Sequence, residues 1–447
     1  MKYTLLKTGL LATLFWGGQA WSAAGFNVTC DYSHTLPDDA ILYPQKPGEA
    51  MLHDFFGNTK VDAFTTTGSL VTNPQTTCHS SADRSAYWTP SLRRGTDIIK
   101  PMLQKTYYWD QDTRVKIHPF PPGLQMLAGD HRGDKPNSHV DYLCSGDGYT
   151  QTVPQQCSQK NDNNQYQLNI NVHFPFCWDG KNLKPDVAHH NMNVVYPENG
   201  VCPASHPVTL PEMHLSVAYE LGDNPDVSQV QLSLDPVWEK GQWQEQWGSL
   251  YTAHADFING WKPDGLQFVV DNCMNNNIDC NDRVPLAQGR ALADAWIDQQ
   301  GNVTVSGEKL RLNSGDTLMI KLAIPDNLDS LLGDYPHKKI ELHNVGGYPQ
   351  GEGKGQQWLS MFAANTQWNE HDTPPSTANC SDRFVGFLVV QQWDHPGARF
   401  SDFTDYAKEQ LAKGEKEMAV CVRNSEKDSE LSFYSRESRL SPVLVWR

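Results

Sequence analysis

Gln167-Leu-Asn-Ile-Asn-Val172, His214-Leu-Ser-Val-Ala-Tyr219 and Gln229-Val-Gln-Leu-Ser-Leu234 each alternate apolar and polar residues with a period of two. Successive side chains on a strand point to opposite faces, so this pattern describes strands with one face buried. Around these runs, from Gly25 to Arg283, the sequence is rich in Asn, Asp, Gly, Pro and aromatics, and Pro119, Pro121 and Pro122 mark irregular connections. Further on, Val303, Val305, Leu310, Leu312, Leu318, Ile320, Leu322 and Ile324 alternate again, broken by Ser306-Gly307 and Ser314-Gly315 turns. Strands are also expected over 384–390, 418–422 and 443–446. Two segments read as helices. In 285–298, Leu286, Ala291, Leu292 and Trp296 fall at helical spacing. In 401–413, Ser401 serves as N-cap, Phe403, Tyr406, Ala407 and Leu411 share a face, and Gly414 supplies the stop. The expected fold is mainly β: a β-sandwich or jelly-roll-like N-terminal domain rich in loops over 25–286, then a smaller C-terminal β-sandwich-like module over 287–447.

The chain begins with Lys2 and Lys7 beside an apolar run over 8–16, followed by Ser22-Ala23-Ala24. That order of parts is a signal peptide, residues 1–24, and implies a secreted or periplasmic protein. No later stretch approaches the roughly 18 apolar residues of a spanning helix, so no membrane insertion is expected. The formal charge of -16 argues against nucleic acid, which selects basic surfaces. Ten cysteines in an exported chain read as disulfides. Proximity favours Cys144–Cys157, Cys177–Cys202 and Cys273–Cys280, leaving Cys30–Cys78 and Cys380–Cys421, although spacing does not fix connectivity.

Eleven of the 16 histidines fall between His53 and His254. Imidazole donates, accepts or ligates near neutral pH, so clustering raises the odds of a site. Several sit beside carboxylates: His53-Asp54, Asp130-His131, and the i, i+2 pairs His139/Asp141 and His254/Asp256, which share a face of an extended chain. The loop with Asp130, Asp134, Asn137 and Asp141 is oxygen-rich without EF-hand spacing. No cofactor is expected; a calcium site is the alternative left open, ahead of a catalytic zinc. Tyr87-Trp88, Tyr107-Tyr108-Trp109, Trp178, Trp243, Trp247 and Trp261 cluster with polar neighbours, as carbohydrate-stacking rings do. No Gly-x-Ser-x-Gly elbow occurs, which disfavours an α/β-hydrolase esterase.

In order along the chain stand His53-Asp-Phe-Phe-Gly-Asn58, Cys78-His79, Asp83-Arg-Ser-Ala-Tyr-Trp88, Phe120-Pro-Pro-Gly-Leu124, Ala128-Gly129-Asp130, Phe174-Pro-Phe-Cys-Trp-Asp-Gly180, Tyr196-Pro197, His206-Pro207 and His254-Ala-Asp-Phe-Ile-Asn-Gly-Trp261. This series, over residues of about 50–282, resembles the secreted domain-of-unknown-function family numbered nineteen ninety-six. The resemblance implies an extracellular protein acting at cell walls or glycans, and supplies no reaction. One segment departs from the family pattern: Asp186 is followed by Val187, and the histidines are His189 and His190. No resemblance extends to the C-terminal module.

The function expected is a secreted glycan-active enzyme, hydrolase rather than lyase, working on extracellular or cell-wall polysaccharide by general acid–base catalysis. His53, Asp130, Asp179, His254 and Asp256 are the candidate catalytic groups. Asp83, Tyr87, Trp88, Trp178, His206, Asn259 and Trp261 are the candidate substrate contacts. The alternative is a non-catalytic carbohydrate-binding or adhesion protein, which would explain the disulfides, strands and aromatics without chemistry.

Overall fold

The computed structural model describes residues 25–110, 115–276, 280, 282–325, 328, 339–347, 357–390, 397–425, 430–438 and 440–446. The expected leader, 1–24, lies outside the described residues. Strand accounts for 44% of the chain and helix for 10%, so the mainly-β reading holds. No helix among the described residues is long and apolar enough to cross a membrane.

The N-terminal half is organised by one ten-stranded antiparallel sheet. Its order is 125–129, 254–258, 86–90, 53–57, 25–36, 103–109, 212–222, 166–173, 140–144, 149–150. The strand Gly25–Leu36 serves both limbs. Its first part, Gly25 to Asp31, pairs with Leu103–Trp109, and after an irregularity at Tyr32/His34 its end pairs with His53–Gly57. The sheet curls there, so the two layers of the expected sandwich are limbs of a single sheet. Phe26, Phe56, Tyr87, Tyr108, Met126, Phe174 and Phe257 fill the inside of the curl. On the other face of the 53–57, 86–90 and 254–258 strands a second apolar cluster forms from Phe55, Trp88, Ile258, Val61 and Leu70.

The C-terminal half carries an eleven-stranded sheet that curls until it is nearly closed. The segment read as a helix over 285–298 is its longest strand, Val284–Ile297. Ala291, Ala293, Ala295 and Ile297 are buried at alternate positions, and the segment pairs with Val443–Trp446 on one side and Thr317–Ala323 on the other. Two ladders of hydrogen bonds outweigh the weak helical preference of an alanine-rich stretch. The other helix does form, over Thr404–Ala412, but its N-cap is Phe403, because Ser401 is taken up by the strand Gly397–Asp402. All ten cysteines pair as proximity favoured: Cys30–Cys78, Cys144–Cys157, Cys177–Cys202, Cys273–Cys280 and Cys380–Cys421.

The halves are joined by apolar contact. A continuous cluster includes Phe26, Val270 and Cys280 together with Ile340, Leu342 and Trp446. The helix Pro263–Asn272 lies at this seam, where the Phe268 ring stands 5.6 Å from that of His343.

Candidate functional site

Alternation along two short strands decides which polar groups meet. In His53–Gly57, Asp54 and Phe56 face one way and His53 and Phe55 the other. In His254–Ile258, Ala255 and Phe257 enter the main core, so His254, Asp256 and Ile258 emerge on the face that carries Phe55 and Trp88. Register aligns the set: Asp256 stands opposite Trp88, and Trp88 opposite Phe55. Gly129 pairs with His254 in left-handed backbone, φ +87, where a Cβ would lie 2.5 Å from the His254 Cα. Only glycine lets the 125–129 strand approach the histidine this closely.

His53, His254 and Asp256 thereby bring one ligand-capable atom each to within 4.8 Å of one another. His53 and Asp256 are 1% exposed and His254 8%. His53 Nδ1 donates to the Asp38 carbonyl at 3.0 Å, and His254 Nδ1 to the Thr252 carbonyl at 2.9 Å. A carbonyl only accepts, so both rings carry the proton on Nδ1 and keep Nε2 as the acceptor. Nε2 of His53 and Oδ2 of Asp256 have no hydrogen-bond partner among the described residues. Leaving a buried polar atom unsatisfied costs about 1–3 kcal/mol, so two at one point call for an explanation.

Burial sets the charges. It pushes both imidazoles down to about 4, with the other histidine adding to the effect at His254. The Asp256 carboxyl is driven well above the usual range by burial and by the neighbouring Asp39 and Asp235 carboxylates. Asp39 is likewise raised by burial, although its Oδ1 accepts the Ile41 and Leu42 amides at 2.7 Å each. The loop after the first strand covers the cluster. Its Tyr43 donates a hydrogen bond to Asp235 at 3.2 Å. The His131 ring lies 6.1 Å from that of His254.

Beside this cover runs a cleft of about 180 Å³ lined by Pro37, Met51, Leu52, Pro236, Trp243 and Trp247, among others. It shares the covering loop and the Leu234–Pro236 segment with the cluster. Trp238 and Trp243 meet edge to face at 5.1 Å on the adjoining hairpin and are 59% and 44% exposed. The Arg93 guanidinium lies 4.3 Å from the Trp247 ring centre.

Other expected site residues do different work. Asp130 is exposed in a turn and accepts the Arg132 amide at 2.9 Å; the next residue, His131, flanks the cluster instead. Asp179 accepts the amides of Lys181 and Asn182 and the Asn182 side chain, which hold it below the usual carboxylate range although its slight burial raises it. A carboxylate engaged in three local bonds is a turn anchor rather than a proton donor. Trp178 donates to the Asn182 carbonyl at 2.8 Å, and His206 Nε2 bonds the Met192 carbonyl at 2.9 Å. Asn259 donates to the Phe120 and Pro121 carbonyls and latches that loop. Trp88 and Trp261 are core residues, the latter packed on Phe26 and Tyr108, so neither can stack on a sugar. The open-calcium alternative also meets local bonding, since Asp141 is engaged by Asn171 at 2.6 Å and His173 at 2.7 Å.

Asp83 and Tyr87 belong to a buried relay. The Trp261 indole donates to the Tyr108 hydroxyl at 3.1 Å, Tyr108 meets Tyr87 at 2.7 Å, and Tyr87 donates to Asp83 at 2.6 Å. Burial pushes the Asp83 carboxyl up to about 6 against the lowering hydrogen bonds from Tyr87 and Ser85. With the folded value above the unfolded one, this group stabilises the fold most fully in acid, and its contribution is lost as pH rises through about 6. The wild type is expected to lose on the order of 3 kcal/mol between about pH 4 and pH 7 through this carboxyl alone. Urea unfolding at both pH values, compared with Asp83→Asn, measures it. Identical pH dependence in the two proteins would refute the assignment.

Asp39, Tyr43, His131 and Asp235 were not singled out as site residues by sequence reasoning. The available signals were the Asp130-His131 pair and the acidic pair Asp38-Asp39 directly after Pro37.

With the geometry in place, one comparison bears on the N-terminal half: residues 39–261 match the family model described as domain of unknown function (DUF1996). The matched span contains His53, His254 and Asp256 together with Asp39 and Asp235. The C-terminal module has no family match. No curated protein matches the chain.

Proposed function

We propose that this chain is an exported glycan-active enzyme, a hydrolase, whose reaction centre is the His53–His254–Asp256 cluster. The observation that carries the reading is the convergence of two imidazoles and a buried carboxyl at one point, with His53 Nε2 and Asp256 Oδ2 unpartnered, beside a tryptophan-lined cleft. The converging lone pairs hold a water or a sugar hydroxyl and accept its proton. Tyr43 and His131, at the margin of the cover, return a proton to the departing sugar oxygen. Trp243 and Trp247 offer flat rings with polar edges for stacking on sugar units. The strongly acidic chain suits neutral polysaccharides better than polyanionic ones. The five disulfides fit an oxidising compartment, in keeping with a cleaved leader.

The test is a panel of neutral cell-wall polysaccharides incubated with purified protein. New reducing ends are expected, without the ultraviolet absorbance of unsaturated lyase products. The exposed Trp238–Trp243 pair favours a second reading, a non-catalytic carbohydrate-binding protein. Retention on a polysaccharide with no product from any of them would establish that reading instead.

A further inference from the structure

Three groups of described side chains bring metal-capable atoms together. In Cys30, Cys78 and Asp83 the cysteines are consumed by a disulfide. In His173, Glu212 and His214 the imidazole Nε2 atoms are occupied, by Asp141 and by Glu212, each at 2.7 Å. In His53, His254 and Asp256, His53 Nε2 and Asp256 Oδ2 have no partner among the described residues, and His254 bonds the Thr252 carbonyl through Nδ1, which leaves its Nε2 for a ligand.

We propose that His53 Nε2, His254 Nε2 and one oxygen of Asp256 are the protein ligands of a divalent first-row transition cation. The inference rests on the reading of this cluster as the reaction centre and replaces its proton acceptor: with both Nε2 lone pairs given to the cation, the cation would hold and acidify the water in their stead. Four features support it. The three atoms lie within 4.8 Å of one another, and bonds of about 2.0–2.1 Å to a tetrahedral ion would draw them to roughly 3.3 Å, a modest side-chain movement. Both histidines donate Nδ1–H to backbone carbonyls, the outer contact that fixes the tautomer and aims Nε2 in metal-bound imidazoles. A cation would satisfy the two buried atoms that the fold leaves without partners. The neighbouring Asp39 and Asp235 carboxyls give the spot a field that favours positive charge.

The donor set selects the ion. Two imidazoles and one carboxylate suit zinc, iron or another first-row cation, whereas calcium and magnesium take oxygen ligands throughout. Three protein ligands also leave a coordination position open to water or a substrate oxygen, as in catalytic rather than structural sites.

The full exported chain, stripped with chelator and dialysed, is titrated calorimetrically with zinc chloride alone and, separately, with calcium chloride. One zinc per chain and no calcium uptake are expected. His254→Gln and Asp256→Asn should each weaken zinc binding more than about 100-fold, and His173→Gln should leave it unchanged. Absence of zinc binding in the wild type, its retention in both ligand variants, or its loss in His173→Gln would overturn the proposal. If the ligand variants fail to fold, X-ray absorption of the zinc-loaded wild type decides: two imidazoles in the coordination shell support the site, and fewer than two refute it. Zinc uptake without turnover of any glycan would leave the cation standing and refute the substrate reading. Turnover without zinc uptake would do the reverse.

Discussion

Replacing His254 by glutamine is expected to lower turnover on a responsive polysaccharide by about 10²–10⁴-fold, the range for losing a positioned proton-transfer group. Glutamine keeps much of the volume and can still donate to the Thr252 carbonyl that the imidazole now engages. It removes the Nε2 lone pair of a ring that brings a ligand-capable atom within 4.8 Å of those of His53 and Asp256. Retention on the polysaccharide should persist, because the cleft beside the covering loop does not include this side chain. The loss should therefore appear in kcat with KM little changed. Thermal unfolding is the control: a variant that melts like the wild type yet fails to release sugar locates the effect in chemistry. Turnover within a few-fold of wild type would remove His254 from the reaction.

Phe257→Ala is expected to destabilise the N-terminal domain by about 3–5 kcal/mol, the cost of emptying a buried aromatic site. The side chain is fully buried, and its ring lies 5.1 Å from Tyr87, 5.6 Å from Phe120 and 6.4 Å from Phe174. These neighbours come from a strand and two loop segments fixed elsewhere, so the void cannot readily collapse. Chemical denaturation should show a lower midpoint with an unchanged slope. Phe257 also sits next to Asp256 on the opposite face of the same strand, so activity should fall at temperatures where the protein is still folded. A midpoint shift worth less than about 1 kcal/mol would mean that the core repacks around the loss.

Period-two alternation carried the fold because it is local. The three opening runs lie in the strands Tyr166–His173, Glu212–Gly222 and Val230–Glu239, and the 443–446 expectation coincides with a strand. It failed at 285–298, where helical spacing and alternation coexist in one segment and only the flanking strands decide between them. The site was legible where two groups sit at i, i+2 on one strand, as with His254 and Asp256. Adjacent pairs misled: Asp54 points away from His53 and accepts hydrogen bonds from Thr35 and Ser91. The role of each tryptophan was not legible, since Trp88 and Trp261 are covered by segments distant in sequence, whereas Trp243 lies exposed on a separate four-stranded sheet, a difference their neighbours along the chain do not carry. Asp39 and Asp235 meet the centre from segments nearly two hundred residues apart, a proximity that no spacing rule reaches.

The oily seam running from Phe26 through Val270 to Trp446 makes the two halves mutual lids. A lineage that lost the C-terminal half, or a protease that clipped the linkage and let it drift off, would leave wet hydrocarbon along the helix Pro263–Asn272. Survival of the N-terminal half alone would demand new polar residues along that whole stripe, so each part keeps the other's hydrocarbon dry.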